Sequence, residues 1–293
     1  MNKLIIFLVA AVVVSCGSVS EDSRAQSLGT KEKKKEVIDT TEINTFTNTT
    51  KIIYSMPSPM ELAMILKRSG TSFQSDILLD PANAKTLIGN YHVATSLGLY
   101  FSDLSYSSQF GQPQLSMSYM ASIQRLADEI GMAEALSEDV IARLENNQEN
   151  KDSLVEIVSE VYFDIDASLQ GDEKRELSAM LFAGAWIEGF YIASMLSLES
   201  EIVADKLLDQ RNSLKNLLSL IGQFESDENL QALHDDLSKL KDMLPAELEI
   251  TKPDIKTDGQ INKISFGREK NKISKDQIET INEMIVSIRS KLK

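Results

Sequence analysis

The sequence predicts an all-α protein, a multi-helix bundle with a buried central helix. Three observations lead there. Capping signals of the Ser-x-x-Glu or Ser-x-x-Gln kind open segments whose apolar residues recur at three- and four-residue spacing. Aromatic residues make up only 6% of the chain, and 13 Gly and 6 Pro among 293 residues are sparse for a β-sandwich. Finally, residues 177–198, LSAMLFAGAWIEGFYIASMLSL, form an apolar stretch of helical length with one charge, Glu188.

Each element has its own local reason. Ser58-Pro59-Met60-Glu61 is a capping box with Pro at the first helical position, and the helix it opens should stop near Gly70. Asp80-Pro81 is a second such start, with helical periodicity to about Gln109. Gly111-Gln112-Pro113 breaks it, and another helix runs to Gly131. Ser137 is placed to cap a short helix to Asn147, and residues 152–169 form the next, stopped by Gly171. Asp172 opens the long apolar helix to about Ser200, and helices over 202–223 and 227–244 come next, ending before Pro245. Residues 245–273 lose the helical period and alternate weakly around Asp258-Gly259, as a small hairpin or an extended strap would. Ser274-Lys275-Asp276-Gln277 is a further capping box. The helix after it carries Ile278, Ile281, Ile285, Ile288 and Leu292, a narrow seam with the same spacing as Leu230, Leu233, Leu237, Leu240 and Leu244. Two such seams can cover each other as an antiparallel hairpin, or one can serve as a docking face.

The amino terminus sets a different expectation. Lys3 precedes eleven apolar residues, Leu4 to Val14, which is the length of a signal-peptide core and too short to span a bilayer. Val13-Val14-Ser15 then leads into Cys16, the only cysteine. This stretch resembles the lipobox of bacterial lipoproteins. The resemblance implies cleavage before Cys16 and acylation of its sulfur and new amino group, with more than one acyl chain for stable anchoring. The alternative is an ordinary secretory signal. With its one cysteine lipidated, the mature chain has no disulfide and folds on its core alone. Gly17 stands where an Asp would mark inner-membrane retention in that family, so the resemblance implies the outer membrane.

The expected organisation is a signal peptide at 1–15, a lipidated Cys16 with a polar tether to residue 50, a helical domain over 51–244, and a strap with an amphipathic helix over 245–293 packing on it. As a coil the tether would span roughly 30–35 Å. Residues 51–249 hold 14 basic and 32 acidic side chains, whereas residues 250–293 hold 10 basic and 6 acidic. A body this acidic repels nucleic acid, which is therefore not expected as a partner. The basic end reads as a solvated surface or as a contact for a membrane or an acidic partner.

Glu188 is the chemically informative residue. A transmembrane reading of 177–198 would put its carboxylate in the bilayer centre at a cost of a few kcal/mol, between flanks charged on both sides. A central bundle helix fits better, because Glu188 shares a seam with Leu181, Gly184, Tyr191 and Met195. Gly184 and Gly189 should let neighbouring helices approach closely. A buried carboxylate must be paired, hydrogen-bonded or protonated. The candidate buried polar site is therefore Glu188 with Asp103 and His92, which lie in the other central helix. GLYFSDLSY (98–106) and GAWIEGFYI (184–192) are faintly alike, as two facing central helices would be. If Glu188 is structural, Glu188→Gln should cost little and Glu188→Ala about 2–4 kcal/mol.

Catalytic motifs are missing from the sequence. Neither His92 nor His234 has a Glu three residues before it, so the di-iron pattern fails. There is no Cys-x-x-Cys-His, no Gly-x-Ser-x-Gly and no phosphate loop. No metal and no cofactor are expected. The layout also resembles the helical lipoproteins of Gram-negative bacteria, a resemblance that carries no active residues. Two function classes are compatible with these features. One is a non-enzymatic binding or scaffold protein, held to the membrane by its lipid and meeting an envelope protein or a small molecule. The other is a ligand- or metal-dependent enzyme with its site around Glu188.

Overall fold

A computed structural model describes residues 56–132, 137–147, 150–168, 174–224, 226–245, 254–258, 261–265 and 273–293. The signal segment, Cys16, the tether, Gly171 and Asp172 lie outside them. The described residues form an all-α bundle with one small hairpin. In chain order the helices are α1 (Pro59–Arg68), a 3-10 turn (Pro81–Thr86), α2 (Asn90–Gln109), α3 (Pro113–Glu129), α4 (Glu138–Asn146), α5 (Lys151–Ser168), α6 (Arg175–Ser197), α7 (Glu201–Ile221), α8 (Glu228–Met243) and α9 (Lys275–Ser290).

Both capping boxes form. Ser58 Oγ accepts from the Glu61 amide while Glu61 Oε2 accepts from the Ser58 amide at 2.8 Å, and Ser274 and Gln277 do the same for α9. Positive φ at Gly70, Gly111 and Gly131 ends α1, α2 and α3 as their positions predict. Two starts differ from expectation. Asp80 does cap this start, its carboxylate accepting from the Ala82 amide, but residues 81–86 form only a 3-10 turn, and the chain extends at Leu87 before α2 begins at Asn90. Gly89, at φ 89°, makes that corner, so the helix expected from residue 81 is broken in two. Ser137 occupies the N-cap of α4 without a side-chain bond to it. Ser200 ends no helix; its hydroxyl accepts from Val203 and opens α7. Between residues 245 and 273, Asp254–Asp258 pairs antiparallel with Ile261–Ser265, with Asp258 opposite Ile261, so the hairpin alternative holds.

The core is organised by α2 and α6, the two most buried helices. Nineteen of the 23 residues of α6 are buried, which explains a helix with no polar face. Among the described residues it is the one helix long and apolar enough to cross a membrane, yet 94% of its apolar window is buried in the bundle. The two helices meet backbone to backbone. A Cβ on Gly98 would stand 2.0 Å from the Leu181 carbonyl oxygen, and one on Gly184 would stand 1.9 Å from that of Thr95. Ser102 adds a 2.7 Å hydrogen bond to the Ala185 carbonyl. Around this pair, α3 packs on α2, α7 on α6, and α1 across both. The Leu seam of α8 and the Ile seam of α9 are buried, and α9 packs against α8 and α6.

Candidate functional site

The site is built where α2, α6 and α9 come together. Glu188, on α6, and Asp103, on α2, are both fully buried. Between them and solvent stands a residue that the sequence pattern does not single out, Arg289 of α9. Its Nε donates to Glu188 Oε2 and its Nη2 to Glu188 Oε1, both at 2.6 Å, a bidentate pair. Nη2 also donates to the Ile77 carbonyl at 3.2 Å. The guanidinium lies over the Tyr191 ring, 4.0 Å from its centroid, which adds a cation–π contact. Arg289 itself is only 8% exposed.

Asp103 is held by the segment before the 3-10 turn. The Leu79 amide donates to Asp103 Oδ2 at 3.1 Å, and Tyr119 donates to the Leu79 carbonyl at 2.7 Å, fixing the same residue from the other side. Tyr100 donates to the Asp80 carbonyl at 3.1 Å and packs against Tyr119 with ring centroids 6.0 Å apart. Among the described residues, no donor reaches Asp103 Oδ1. Burial pushes Asp103 well above the ordinary carboxyl range, and the adjacent Glu188 adds to this against the pull of Arg289. Burial acts against Arg289 too, but Glu188 outweighs it and holds the guanidinium above its ordinary value. Tyr100 and Tyr119 are pushed up by burial and then by Asp103.

His92 does not join this group. Its Nδ1 lies 3.3 Å from the Leu292 carbonyl, which also accepts from the Ser96 hydroxyl at 3.2 Å. Eleven residues separate it from Asp103, about 16 Å of helix. The structure therefore brings together Glu188 and Asp103, leaves His92 beside Leu292, just past the C-terminal end of α9, and supplies Arg289, Tyr119 and the Leu79 amide. A signal for Arg289 exists in the sequence. Asn282 and Arg289 are seven residues apart on the flank of the Ile seam, so both must turn inward with it, and both are 8% exposed.

Chemically, the arrangement is a carboxyl pair with its counter-ion in place. The guanidinium occupies both oxygens of Glu188, which are the oxygens a bound cation would use. Among the described residues, no group of three or more His, Cys, Asp or Glu is placed to hold a metal. Solvent reaches a different set of groups. An open groove of about 440 Å³ lies between the start of α2, the start of α6 and the start of α8, lined by Tyr91, His92, Glu176, Met180 and Asp227 among others. Burial, with Asp227 and Asp236, pushes the Tyr91 hydroxyl up to about 12, and burial and Asp227 raise Glu176.

Fold and site together define an all-α bundle organised around a buried, ion-paired carboxyl pair. Comparison of the chain with family models, with curated proteins and with solved structures finds no match.

Proposed function

We propose that this chain is a lipid-anchored protein of the bacterial envelope, on the outer membrane, whose helical body works as a non-enzymatic binding or scaffold module. The observation that carries the non-enzymatic part is the state of the acids. Glu188 and Asp103 have no exposed surface, and both Glu188 oxygens are taken by Arg289. A general acid or base must reach a substrate proton within hydrogen-bond distance, and no substrate can approach these oxygens without displacing α9. The anchoring part rests on Val13-Val14-Ser15-Cys16 and the apolar run before it.

Binding belongs in the groove at the start of α2, where Glu176, Asp227, Tyr91 and His92 reach solvent beside the apolar Met180. The test has two arms. Cys16→Ser should abolish fatty-acid labelling in cells and release the protein from membranes; labelling that survives the change sinks the anchor. Cross-linking in intact cells, followed by purification, should recover a protein or small molecule with the wild type, and Glu176→Lys should lose it. Identical recovery from both sinks the groove. Turnover of an envelope metabolite by the purified chain, abolished in Glu188→Gln, would replace the reading with an enzyme.

A further inference from the structure

The buried site contains two acids and one base, and its hydrogen bonds do not close while both acids are ionised. Glu188 uses both oxygens to accept from Arg289. Asp103 uses Oδ2 to accept from the Leu79 amide and leaves Oδ1 with no donor, although Asp103 has no exposed surface. The neighbour within reach of Asp103 is the Glu188 carboxylate, which can only accept. Two acceptors facing each other in a buried site are unfavourable, and the arrangement becomes complete when one carries a proton. Each Glu188 oxygen accepts one bond from Arg289 and keeps a lone pair to accept another, but a proton on Glu188 would remove the charge that Arg289 pairs with. A proton on Asp103 Oδ1 leaves that pair intact.

We propose that Asp103 is a neutral carboxylic acid at neutral pH, with its proton on Oδ1 donated to Glu188, and that this proton keeps the C-terminal helix α9 latched to the core. Glu188 and Arg289 then cancel, and the buried cluster is uncharged. Loss of the proton would leave two buried negative charges against one positive, and α9, which carries the positive charge, is the element whose seat weakens. The same raised carboxyl is expected from burial first and Glu188 second.

Among the described residues, few groups face Asp103. Its own helix contributes Tyr100, α3 contributes Tyr119, α6 contributes Glu188 and Tyr191, and α9 contributes Arg289. Asp80 and Asp76 lie further out, in the segment that supplies the Leu79 amide. The described charged residues of α1 and α5, which also pack on α2, are exposed. Burial also raises both neighbouring tyrosines of α2 and α3, so they stay protonated at neutral pH.

The test reads the proton directly. The full chain is labelled with ¹³C at the aspartate carboxyl carbon and followed by NMR from pH 5 to 9. One aspartate carbon should show the protonated shift at pH 7, and Asp103→Asn should remove that signal alone. In denaturant unfolding, the ratio of the wild-type unfolding constant to that of Asp103→Asn should grow by up to tenfold per pH unit above about pH 4, until Asp103 titrates in the folded state. An Asn amide donates to Glu188 as the acid does, so the variant keeps the latch and loses the slope. Should Asp103→Asn fail to fold, the wild-type spectrum still decides. A folded wild type with every aspartate carboxyl ionised at pH 7 overturns the proposal, as does a protonated signal that Asp103→Asn leaves in place.

Discussion

At the scale of single residues, the consequence of Arg289 is that Glu188 is one half of an ion pair rather than a lone hydrogen-bonded acid. Removing one partner of a buried pair strands the other, whereas replacing both with apolar groups of similar volume is close to neutral. Arg289→Met should therefore cost about 3–5 kcal/mol, and Glu188→Leu with Arg289→Met should recover most of it, measured by denaturant midpoints at unchanged slope. The expectation that Glu188→Gln costs little changes its basis. A Gln there leaves the guanidinium without a charge partner unless Asp103 releases its proton and takes that role. Its cost should thus be smaller than that of Arg289→Met. Both acids were legible in the sequence because a carboxylate among apolar residues at core spacing stands out. Arg289 was not, because a basic residue near a helix C-terminus is common on a solvated face, and only its position seven residues after Asn282 separates it from that reading.

At the scale of elements, the α2–α6 crossing fixes where the site lies, and three glycines distinguish rigid from yielding contacts. Gly98→Ala and Gly184→Ala each place a Cβ about 2 Å from a backbone carbonyl oxygen of the facing helix, which cannot move without parting the two helices. Each should destabilise by about 3 kcal/mol or more, at the upper end of overpacking costs, or prevent folding. Gly189→Ala meets Leu62 Cδ2 at 2.5 Å, the far end of a side chain that can rotate, and alanine adds about 1 kcal/mol of helix propensity. Its net effect should be under about 1 kcal/mol, by thermal or denaturant unfolding. Helix identity was readable throughout this region because capping boxes and apolar spacing are local signals. The break at Leu87–Gly89 was not, since apolar spacing runs on through TLIGNYHVATSL and a glycine within a periodic run does not by itself announce positive φ. The close approach of Gly98 was missed while that of Gly184 was expected, because nothing in one helix alone shows which of its glycines meets its neighbour.

At the scale of the whole molecule, α9 is held in place by contacts that respond to pH in opposite directions. Lys291, the C-cap of α9, donates to Asp236 of α8, which also accepts from Lys239 at 2.9 Å. Burial opposes ionisation of Asp236, but the two lysines outweigh it and hold its carboxyl below the ordinary range. A lowered carboxyl contributes stability that is present above the unfolded value of about 3.9 and is lost as pH falls through the folded value. Asp103 has the opposite sign. Its contribution is full below about pH 4 and is lost as pH rises through its raised value. Lys291 is 60% exposed, so the Asp236 contact is a surface pair worth about 0.2–1 kcal/mol and weakened by salt. The buried pair is screened far less. Asp236→Asn should accordingly flatten the stability profile below about pH 4 and leave the decline above about pH 4 intact, and the difference between wild type and variant should shrink at high ionic strength. Asp103→Asn should flatten only the decline that starts above about pH 4, with little dependence on salt. Hydrogen exchange of the α9 amides, corrected for the intrinsic pH dependence of exchange, locates both effects. Both limbs should appear as loss of protection over Lys275–Ser290, because Asp236 pairs with Lys291 at the end of that helix and Asp103 sets the charge balance of the pair that Arg289 of that helix makes with Glu188. Loss of protection confined to α8 in acid, or to α2 in alkali, would show that α9 is not the element these contacts secure.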